Sequence, residues 1–415
     1  MIIASIDLRQ GRAVQLRQGK EQVLSSERDP IDLAREFNRY GPVAVVDLDA
    51  AMGTGDNLAL IEQLCRIAEV RVGGGIRDEA RGRDLLRCGA RQLVIGTAAS
   101  PELLSAFSPD QVIAALDQRE GIVLDEGWTR STGEPVLERA ARLAPYCSGY
   151  LCTFVEHEGG MGGLPAEQAL KLAEQLPHPV TVAGGVASTR EAVELARLGM
   201  DVQVGMALYT GELDLAEAFT SSLDFEKVGL VPTVVQDGSG QVLMLAYSSP
   251  ESLRRALREG KGIYYSRSRD EIWEKGASSG HVQRLVAART DCDRDALLFA
   301  VEQTGVACHL GRYSCFGHRR FSVSQLFDVL EARLRSAPAG SYTARLYADR
   351  EYLLRQFMEE AFEITRSADR DNLQWEAADL LYHMAALLVQ EGLGWSDVVN
   401  ELRSRHRMRR EGGEA

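Results

Sequence analysis

The chain has 415 residues, too many for one ordinary hydrophobic core, so two or three domains are predicted. Apolar residues make up 45% of the sequence, which is enough to fill those cores. The formal net charge of −13 disfavours nucleic acids and anionic membranes as partners, because both would repel the chain.

The N-terminal apolar run ends at Asp7, which is too short for a signal peptide or a membrane span. We therefore expect a cytoplasmic protein with no membrane partner. In that reducing compartment, the seven unevenly spaced cysteines predict metal ligation or simple burial more than a disulfide framework.

Residues 1–222 alternate short β-rich runs with amphipathic helical stretches, a pattern that predicts parallel strands joined by helical crossovers. Strands are predicted at 44–50, 70–76, 92–98, 113–117, 150–155, 179–185 and 201–205. The segment also repeats itself, since DLRQG, GGG and IGT in the first half return as DQREG, AGG and VGM about 110 residues later. Two copies of four β/α units predict a closed (β/α)8 TIM barrel.

Glycine-rich turns in both halves of this barrel predict backbone N–H groups aimed at two phosphates. The candidate phosphate-binding residues are Gly74, Gly75, Gly96, Thr97, Gly184, Gly185 and Gly205. The alternative is that these glycines only permit tight turns between strands and helices. Asp7 and Asp117 are predicted at equivalent strand ends, facing each other, which suits an acid–base pair in an isomerisation.

With SIDLRQG, VVDLDAAMGTGDN, VGGGIRD, ALDQREG and DEGW, this segment resembles the phosphoribosylformimino-aminoimidazole-carboxamide ribotide isomerases over its full length. The resemblance implies an Amadori rearrangement of a bis-phosphorylated aminoimidazole, with Asp7 as general base, Asp117 as general acid and Thr153 steadying the intermediate. The related cyclase barrel shares the duplicated sites, but the QLRQG loop and DEGW favour the isomerase.

Two positions depart from that family's pattern. Gln15 stands where the family usually has arginine, and Ala44 stands where it usually has histidine. Both family residues help to hold the substrate. The departures therefore leave open a barrel of altered specificity, or one kept as a non-catalytic binding or assembly module.

Residues 223–325 begin with a predicted hairpin at 230–249, turning at DGSG, and continue as a compact α+β region. Within it Asp291, Asp293 and Asp295 alternate, and on a β-strand they would share one face. Three carboxylates on one face repel unless a cation joins them, and oxygen ligands suit Mg²⁺. An EF-hand loop is excluded because its sixth position is Ala296, not glycine. A solvated acidic turn is the remaining alternative.

Three cysteines in the same region supply thiolates, namely Cys292, Cys308 and Cys315. Three ligands are one short of a closed structural zinc site and leave a position for a reactive water. His309 is placed to handle protons, although a lone histidine is more often only packed. The residues predict a zinc hydrolase with an accessory Mg²⁺.

With GLVPTVVQD, YYSRSRDEIWEKGASSGH, DCDRDALL and the GVACH…SC spacing, this region resembles phosphoribosyl-AMP cyclohydrolase. The resemblance implies zinc on Cys292, Cys308 and Cys315, with one cysteine contributed across a dimer interface, and Mg²⁺ on the three aspartates. Arg267 and Arg269 would suit phosphate groups, although an Arg/Ser run can equally be an ordinary surface strand.

Residues 326–415 are predicted to be almost wholly helical, with a loop at 338–345 and a frayed basic tail from 405. Acidic side chains line one stripe on each of two helices, namely Glu359, Glu360, Glu363, Glu376 and Asp379. A solvated face is the default interpretation of such charges. Their apolar neighbours, including Met358 and Phe362, instead predict two helices that face each other across Mg²⁺ and hold a triphosphate.

With GSYTARL and EAADLLYH, this region resembles phosphoribosyl-ATP pyrophosphatase, one of the all-α nucleotide pyrophosphohydrolases. The family usually has Lys-x-Gly before the glutamate pair, where this chain has Gln356, Phe357 and Met358, a change that would weaken contact with phosphate. The three resemblances imply three consecutive steps of histidine biosynthesis on phosphoribosyl nucleotides in a homodimer. The alternative is a bifunctional hydrolase with a non-catalytic barrel.

Overall fold

The computed structural model describes residues 1–19 and 21–406. They form two compact units, one comprising residues 1–317 with 403–406 and the other residues 318–402. The predicted boundaries after residues 222 and 325 stay predictions. The predicted fraying of the basic tail falls, from residue 407 onward, outside the described residues.

The first unit opens with a closed barrel. Its strands, with two flanking hairpins, are β1 (Ile2–Arg9), β2 (Arg12–Arg17), β3 (Glu21–Ser25), β4 (Val43–Asp47), β5 (Val70–Gly73), β6 (Gln92–Ile95), β7 (Val112–Arg119), β8 (Ile122–Asp125), β9 (Arg130–Pro135), β10 (Gly149–Phe154), β11 (Val180–Ala183) and β12 (Asp201–Val204). Strands β1, β4, β5, β6, β7, β10, β11 and β12 pair in parallel, and β12 pairs with β1. The predicted eight-stranded barrel is confirmed.

Helices connect these strands on the outside of the barrel. They are α1 (Pro30–Phe37), α2 (Leu48–Met52), α3 (Leu58–Ile67), α4 (Glu79–Arg87), α5 (Pro101–Leu104), α6 (Val136–Leu143), α7 (Ala166–Gln175), α8 (Thr189–Arg197), α9 (Met206–Tyr209), α10 (Leu215–Ser221) and α11 (Phe225–Val228). Local sequence sets their starts: Asp29, Asp78 and Ser188 each accept a backbone N–H of the first turn. Their apolar faces, such as Leu33 and Phe37 of α1, are buried against the strands.

The predicted duplication is visible in the backbone. Each half begins with a long strand whose end turns back into an antiparallel hairpin, β2–β3 in the first half and β8–β9 in the second. Both turns are left-handed, with φ of 50° and 74° at Gln10 and Gly11 and 51° and 80° at Glu120 and Gly121. Glycine at the second position relieves the steric cost of that conformation.

The rest of the first unit is a six-stranded sheet with one helix. Its elements are β13 (Val231–Gln236), β14 (Val242–Ser248), α12 (Pro250–Glu259), β15 (Ile263–Ser266), β16 (Glu271–Glu274), β17 (Gln283–Thr290) and β18 (Leu297–Gln303), and the strand order is β16-β15-β14-β13-β18-β17. The predicted hairpin is confirmed as β13–β14. Its turn is held by Asp237, whose carboxylate accepts the N–H groups of Ser239 and Gln241.

The second unit is helical, as predicted. Its helices are α13 (Val323–Arg335), α14 (Tyr342–Ala348), α15 (Arg350–Glu363), α16 (Arg370–Gln390) and α17 (Trp395–Arg405), the last of which runs on past residue 402. The predicted loop at 338–345 is wrong from residue 342, where α14 begins. Ser341 caps this helix, and its residues Thr343 and Leu346 are buried. No helix among the described residues is long and apolar enough to span a membrane.

Candidate functional site

A cavity of about 920 Å³ opens at the carboxyl ends of the barrel strands. Asp7 of β1, Asp117 of β7 and Thr153 of β10 line it. All of the glycine-turn candidates line it too, namely Gly74, Gly75, Gly96, Thr97, Gly184, Gly185 and Gly205. The structure thus brings every predicted barrel residue to one cavity, large enough for a small organic ligand.

The two opposed aspartates lie in environments that favour their protonated forms. Burial raises the pKa of Asp7 to about 6, although Ser5 Oγ donates a hydrogen bond to it at 2.7 Å and lowers the pKa in part. Burial also raises the pKa of Asp117, against hydrogen bonds from the side chains of Thr153 and Trp128. Asp7 can therefore exchange a proton near neutral pH, and the protonated form of Asp117 persists to a higher pH than that of an exposed aspartate.

Glu158 is a third carboxyl group in the cavity that the sequence analysis did not identify. Burial, followed by the charges of Asp7 and Asp117, raises its pKa to about 7. The sequence does hold one indication of its role, because Glu158 is an acidic residue in the glycine-rich stretch just beyond β10. Three neighbouring carboxyl groups titrate as a cluster, so protons can pass among them.

Trp128, in the hairpin loop between β8 and β9, closes part of the cavity mouth. Its φ of 69° is unusual for a bulky residue, and its ring lies 3.0 Å from where a Cβ of Gly19 would stand. Since its indole also hydrogen-bonds Asp117, the loop is tied to the reactive centre. The motif DEGW was noted in the sequence, but this contact could not be read from it.

Close backbone packing explains several of the turn glycines. A Cβ on Gly74 would collide with the carbonyl of Asp47, and one on Gly75 would lie 2.5 Å from the Cβ of Ala50. In the second half, a Cβ on Gly184 would lie 2.6 Å from the carbonyl oxygen of Phe154. Gly96 differs, because its Cβ would meet only Ala115 at 3.5 Å and Asp117 at 4.0 Å. Backbone packing therefore does not account for glycine at position 96.

This contrast yields a prediction. Gly96→Ala should fold normally, with a loss of stability below about 1 kcal/mol, but raise the KM for a bis-phosphate about tenfold by filling the cavity. The matched variant Gly75→Ala should instead destabilise the barrel by about 3 kcal/mol through its positive φ and the clash. Urea unfolding and steady-state kinetics separate the two effects. Equal destabilisation by both variants would contradict the assignment of Gly96 to ligand binding.

The two departures from the isomerase pattern fall in different places. Gln15 is buried beside the cavity, where its Oε1 lies 2.5 Å from the position of a Cβ on Gly205. Its Nε2 donates to the carbonyl of Val14 at 2.9 Å. Ala44 is buried within β4 and does not line the cavity. Gln15 is therefore the departure that bears directly on the ligand.

The acidic triad forms a second candidate site. The expectation of a strand is wrong, because Asp291, Asp293 and Asp295 lie in the loop between β17 and β18, and Arg294 within it has a left-handed φ of 62°. The loop nevertheless brings one oxygen of each carboxylate within 4.8 Å of the others. Asp291 also accepts the N–H groups of Asp295 and Ala296, each at 3.1 Å. The oxygen donors fit a hard cation such as Mg²⁺.

The three cysteines are only partly brought together. The thiols of Cys308 and Cys315 are hydrogen-bonded, whereas Cys292 is exposed on the acidic loop. Over residues 1–19 and 21–406, no group of three potential metal ligands contains a cysteine. The Leu310 N–H, 3.4 Å from Cys308 Sγ, lowers the pKa of that thiol, which favours the thiolate. One chain thus offers two of the three expected thiolates at one place.

The other candidate residues of the six-stranded region are exposed. His309 is exposed beside Cys308. Arg267 and Arg269 lie in the exposed turn between β15 and β16, where Arg267 stacks on Tyr247 and Arg269 pairs with Glu271 at 3.2 Å. Lys275 was not predicted: burial lowers its pKa, and the charges of Cys315 and Cys308 oppose that shift. A lysine beside two thiols is a further group able to stabilise negative charge.

The second unit holds a third candidate site. Glu360 and Glu363 of α15 and Glu376 of α16 each place one oxygen within 4.8 Å of the others. Burial, and then the charges of Asp379 and other carboxylates, raises the pKa of Glu360. Glu359 lies outside this group and accepts a hydrogen bond from Gln356. Two facing acidic helices are therefore present, and their donors fit Mg²⁺.

The apolar embedding expected for these acids is wrong on α15, because Met358 and Phe362 are 64% and 59% exposed. On α16 the other two expected neighbours, Leu380 and Leu381, are half-buried. Polar neighbours, which the sequence analysis did not identify, hold the acids instead. Asn372 donates to Glu376 at 2.7 Å, and the buried His383 lies 2.6 Å from the hydroxyl of Tyr342. His383 also lies 3.8 Å from a carboxylate oxygen of Glu360, so these polar neighbours contact two of the three clustered acids.

Comparisons with known proteins agree with this layout. Three family models match: "histidine biosynthesis protein" over residues 1–214, "phosphoribosyl-AMP cyclohydrolase" over 244–317 and "phosphoribosyl-ATP pyrophosphohydrolase" over 323–406. The first match covers more than half of the chain. The chain belongs to the histidine biosynthesis protein family. The predicted resemblance to enzymes of histidine biosynthesis is thereby confirmed for all three segments.

Curated members of the histidine biosynthesis group are similar to parts of the chain. The "histidine biosynthesis bifunctional protein HisIE" of Deinococcus radiodurans is 42% identical over 203 residues, covering 45% of this chain and 92% of that protein. The "histidine biosynthesis trifunctional protein" of Kluyveromyces lactis is 43% identical over 213 residues, covering 50% of this chain and 27% of that protein. The Saccharomyces cerevisiae protein of that name is 39% identical over 246 residues, covering 58% of this chain and 31% of that protein. The chain thus spans less than a third of these yeast relatives.

Proposed function

We propose that the chain catalyses three consecutive steps of histidine biosynthesis. The helical unit hydrolyses phosphoribosyl-ATP to phosphoribosyl-AMP and pyrophosphate, the six-stranded region opens the adenine ring, and the barrel isomerises the resulting ribotide. The observation that carries the proposal is the coincidence of three candidate sites with three family matches, in which each product is the next substrate.

In the barrel, the proposed reaction is opening of the ribose ring followed by proton transfer. Asp117 or its neighbour Glu158 donates a proton to the ring oxygen as the bond from that oxygen to the anomeric carbon breaks and the attached nitrogen becomes an iminium. Asp7 then removes the proton from C2, and the electron pair of that C–H bond neutralises the iminium to give an enol that becomes the ketose. Thr153 steadies the intermediate by hydrogen bonding. The glycine turns would hold the two phosphates at opposite sides of the cavity, with their N–H groups as donors.

In the six-stranded region, the donor set supports a metal-assisted hydrolysis in a homodimer. Cys308 and Cys315 of one copy, with Cys292 of a second copy, would hold Zn²⁺, which supplies an acidified water. Asp291, Asp293 and Asp295 would hold Mg²⁺. His309 and Lys275 lie beside the thiols and would move a proton and stabilise charge on the opening ring.

In the helical unit, the acidic cluster supports hydrolysis of a triphosphate. Glu360, Glu363 and Glu376 would hold Mg²⁺, assisted by Glu359 and Asp379, and this metal would neutralise the phosphate chain. Gln356 replaces the usual lysine. Its amide is occupied by Glu359, so we expect weaker direct contact with phosphate here.

The experiment is to supply the purified chain with phosphoribosyl-ATP, Mg²⁺ and Zn²⁺ and to follow the products by mass spectrometry after chromatography. Formation of the ring-opened ribulosyl isomer would establish all three activities. Arrest at the ring-opened but unisomerised ribotide would overturn the barrel assignment. That outcome would instead support a barrel of altered specificity, the alternative to which Gln15 gives some weight.

The pKa shifts in the barrel predict a narrow pH optimum for isomerisation. Asp7 must be ionised to act as a base, so kcat/KM should fall as the pH drops through about 6. The acid must be protonated, so activity should also fall as the pH rises through about 7, the pKa of Glu158. Kinetics from about pH 5 to about pH 9 test this. Where Glu158 is the acid, Glu158→Gln should lower kcat/KM below pH 7 and thereby remove the alkaline limb, whereas an unchanged limb would assign that limb to Asp117. A flat profile in the wild-type chain would contradict both assignments.

A further inference from the structure

The underside of the barrel, opposite its cavity, is bonded to strand β17. Asn38, the residue after α1, is buried there and joins three elements. Its Nδ2 donates to the carbonyl of Val286 at 3.3 Å, and its Oδ1 accepts the N–H of Glu69 at 2.9 Å. Asn38 therefore fastens the start of barrel strand β5 to the six-stranded sheet.

Arg289 of β17 completes this junction. Its guanidinium donates to the carbonyl of Asn38 at 3.0 Å and pairs with Glu69 at 3.3 Å. Its neighbour Ala288 donates its backbone N–H to the carbonyl of Arg39 at 2.8 Å. Because Arg289 is half-buried and contacts both a carboxylate and a carbonyl, its interactions are stronger than an ion pair that is exposed on the surface.

The acidic loop begins two residues beyond Arg289. Its other end is also held, because Lys227 of α11 lies 3.6 Å from Asp295 and the Asp224 N–H donates to the carbonyl of Arg294 at 3.4 Å. The loop is thus fastened at its start to the barrel, through Arg289, and at its end to α11, the helix that follows the barrel. Its own interior bonds, from two N–H groups to Asp291, are short-range and exposed.

We propose that the barrel underside is a structural part of the cyclohydrolase site, with Asn38 and Arg289 as positioning residues for Asp291, Asp293 and Asp295. The inference rests on the proposed cyclohydrolase function. Residues around metal ligands fix ligand orientation, and changing them weakens metal binding about tenfold or more. The barrel would thereby serve the second reaction as well as its own.

The test uses Mn²⁺ as a spectroscopic substitute for Mg²⁺, bound to the intact chain and followed by electron paramagnetic resonance. A Glu360→Gln/Glu376→Gln background removes the acidic cluster of the helical unit. In that background Arg289→Ala should weaken Mn²⁺ binding about tenfold, and Arg289→Lys should restore part of it. Hydrogen exchange of the Asp295 and Ala296 amides should accelerate in Arg289→Ala even without metal.

A matched control lies at the same junction. Arg258 of α12 pairs with Asp214 of the barrel at 2.6 Å but has no contact with the acidic loop. Arg258→Ala should leave Mn²⁺ binding and loop exchange unchanged, and neither arginine variant should alter isomerisation. Unchanged Mn²⁺ binding and exchange in Arg289→Ala would overturn the inference.

The variant Asp291→Asn distinguishes failure of the positioning role from failure of the metal site itself. If it abolishes Mn²⁺ binding while Arg289→Ala has no effect, the metal site stands and the positioning role fails. If Asp291→Asn also leaves Mn²⁺ binding unchanged, the proposed metal site itself fails. An Arg289→Ala chain that unfolds as a whole would be recognised by its melting temperature, and Asn38→Ser then provides the same test with a smaller change.

Discussion

Asp7→Asn is expected to abolish isomerisation and at the same time to stabilise the barrel. Burial favours the neutral form of Asp7, so its folded pKa of about 6 lies above the ordinary 3.8. The neutral Asp7 makes its full contribution to the free energy of unfolding below pH 3.8, the ordinary pKa in the unfolded chain. That contribution is lost as the pH rises through about 6, the pKa in the folded chain. At pH 8 the charged group then costs about 2 kcal/mol, allowing for cavity water. Asparagine avoids that cost.

Urea unfolding at about pH 8 and about pH 4, with turnover measured at neutral pH, checks both parts. The gain in stability should appear at the higher pH and vanish at the lower. Asp125→Asn is the control, because this buried carboxylate pairs with Arg139 at 3.0 Å and its loss should destabilise the barrel. Undiminished isomerisation in Asp7→Asn would remove Asp7 from the mechanism as the general base.

Glu360→Gln is expected to reduce pyrophosphate release more than about 100-fold, since even residues behind metal ligands contribute ten- to 100-fold. The same change should slightly stabilise the metal-free unit, because crowded carboxylates and burial disfavour the charge of Glu360. Added Mg²⁺ should raise the melting temperature of the wild-type chain but not that of the variant. Calorimetry with and without Mg²⁺ and a pyrophosphate assay measure these effects.

Glu351 provides the matched control for this prediction, because it lies exposed on the first turn of the same helix, α15. Glu351→Gln should change neither Mg²⁺ stabilisation nor turnover. Full pyrophosphate release by Glu360→Gln would remove the helical cluster from the mechanism. Loss of Mg²⁺ stabilisation without loss of turnover would show that the cluster binds metal for structure alone.

The barrel was predictable because its signals are local or repeated. Each strand is a short apolar run, and the returning DLRQG and DQREG turns set the register of two halves whose backbones match at Gln10 and Glu120. Asp7 and Asp117 follow from that register, since they occupy equivalent strand ends. The helix α14 was missed because Pro338 and Gly340 dominate the local pattern, whereas burial of Leu346 decides it.

What could not be predicted depends on contacts between distant segments. The raised pKa of Glu158 comes first from its burial in the cavity and then from the charges of Asp7 and Asp117, which are far away in sequence. The separation of Cys292 from the other thiols follows from the shape of the loop after β17, which alternation of charges does not specify. Met358 and Phe362 are apolar yet exposed, so helix composition alone could not place them.

The near two-fold repetition of the barrel poses an orientation problem for any ligand with a phosphate at each end. Matching glycine turns offer such a molecule two ways of lying across the same cavity. The hairpins break that equivalence, because one presents the amide of Gln15 at Gly205 and the other ties Trp128 to Asp117. We therefore expect the direction of ligand entry to be decided by side chains of the two hairpins, whose backbones repeat but whose sequences differ. Exchange of either hairpin should therefore redirect the barrel to another ligand while the proposed phosphate-binding turns stay in place.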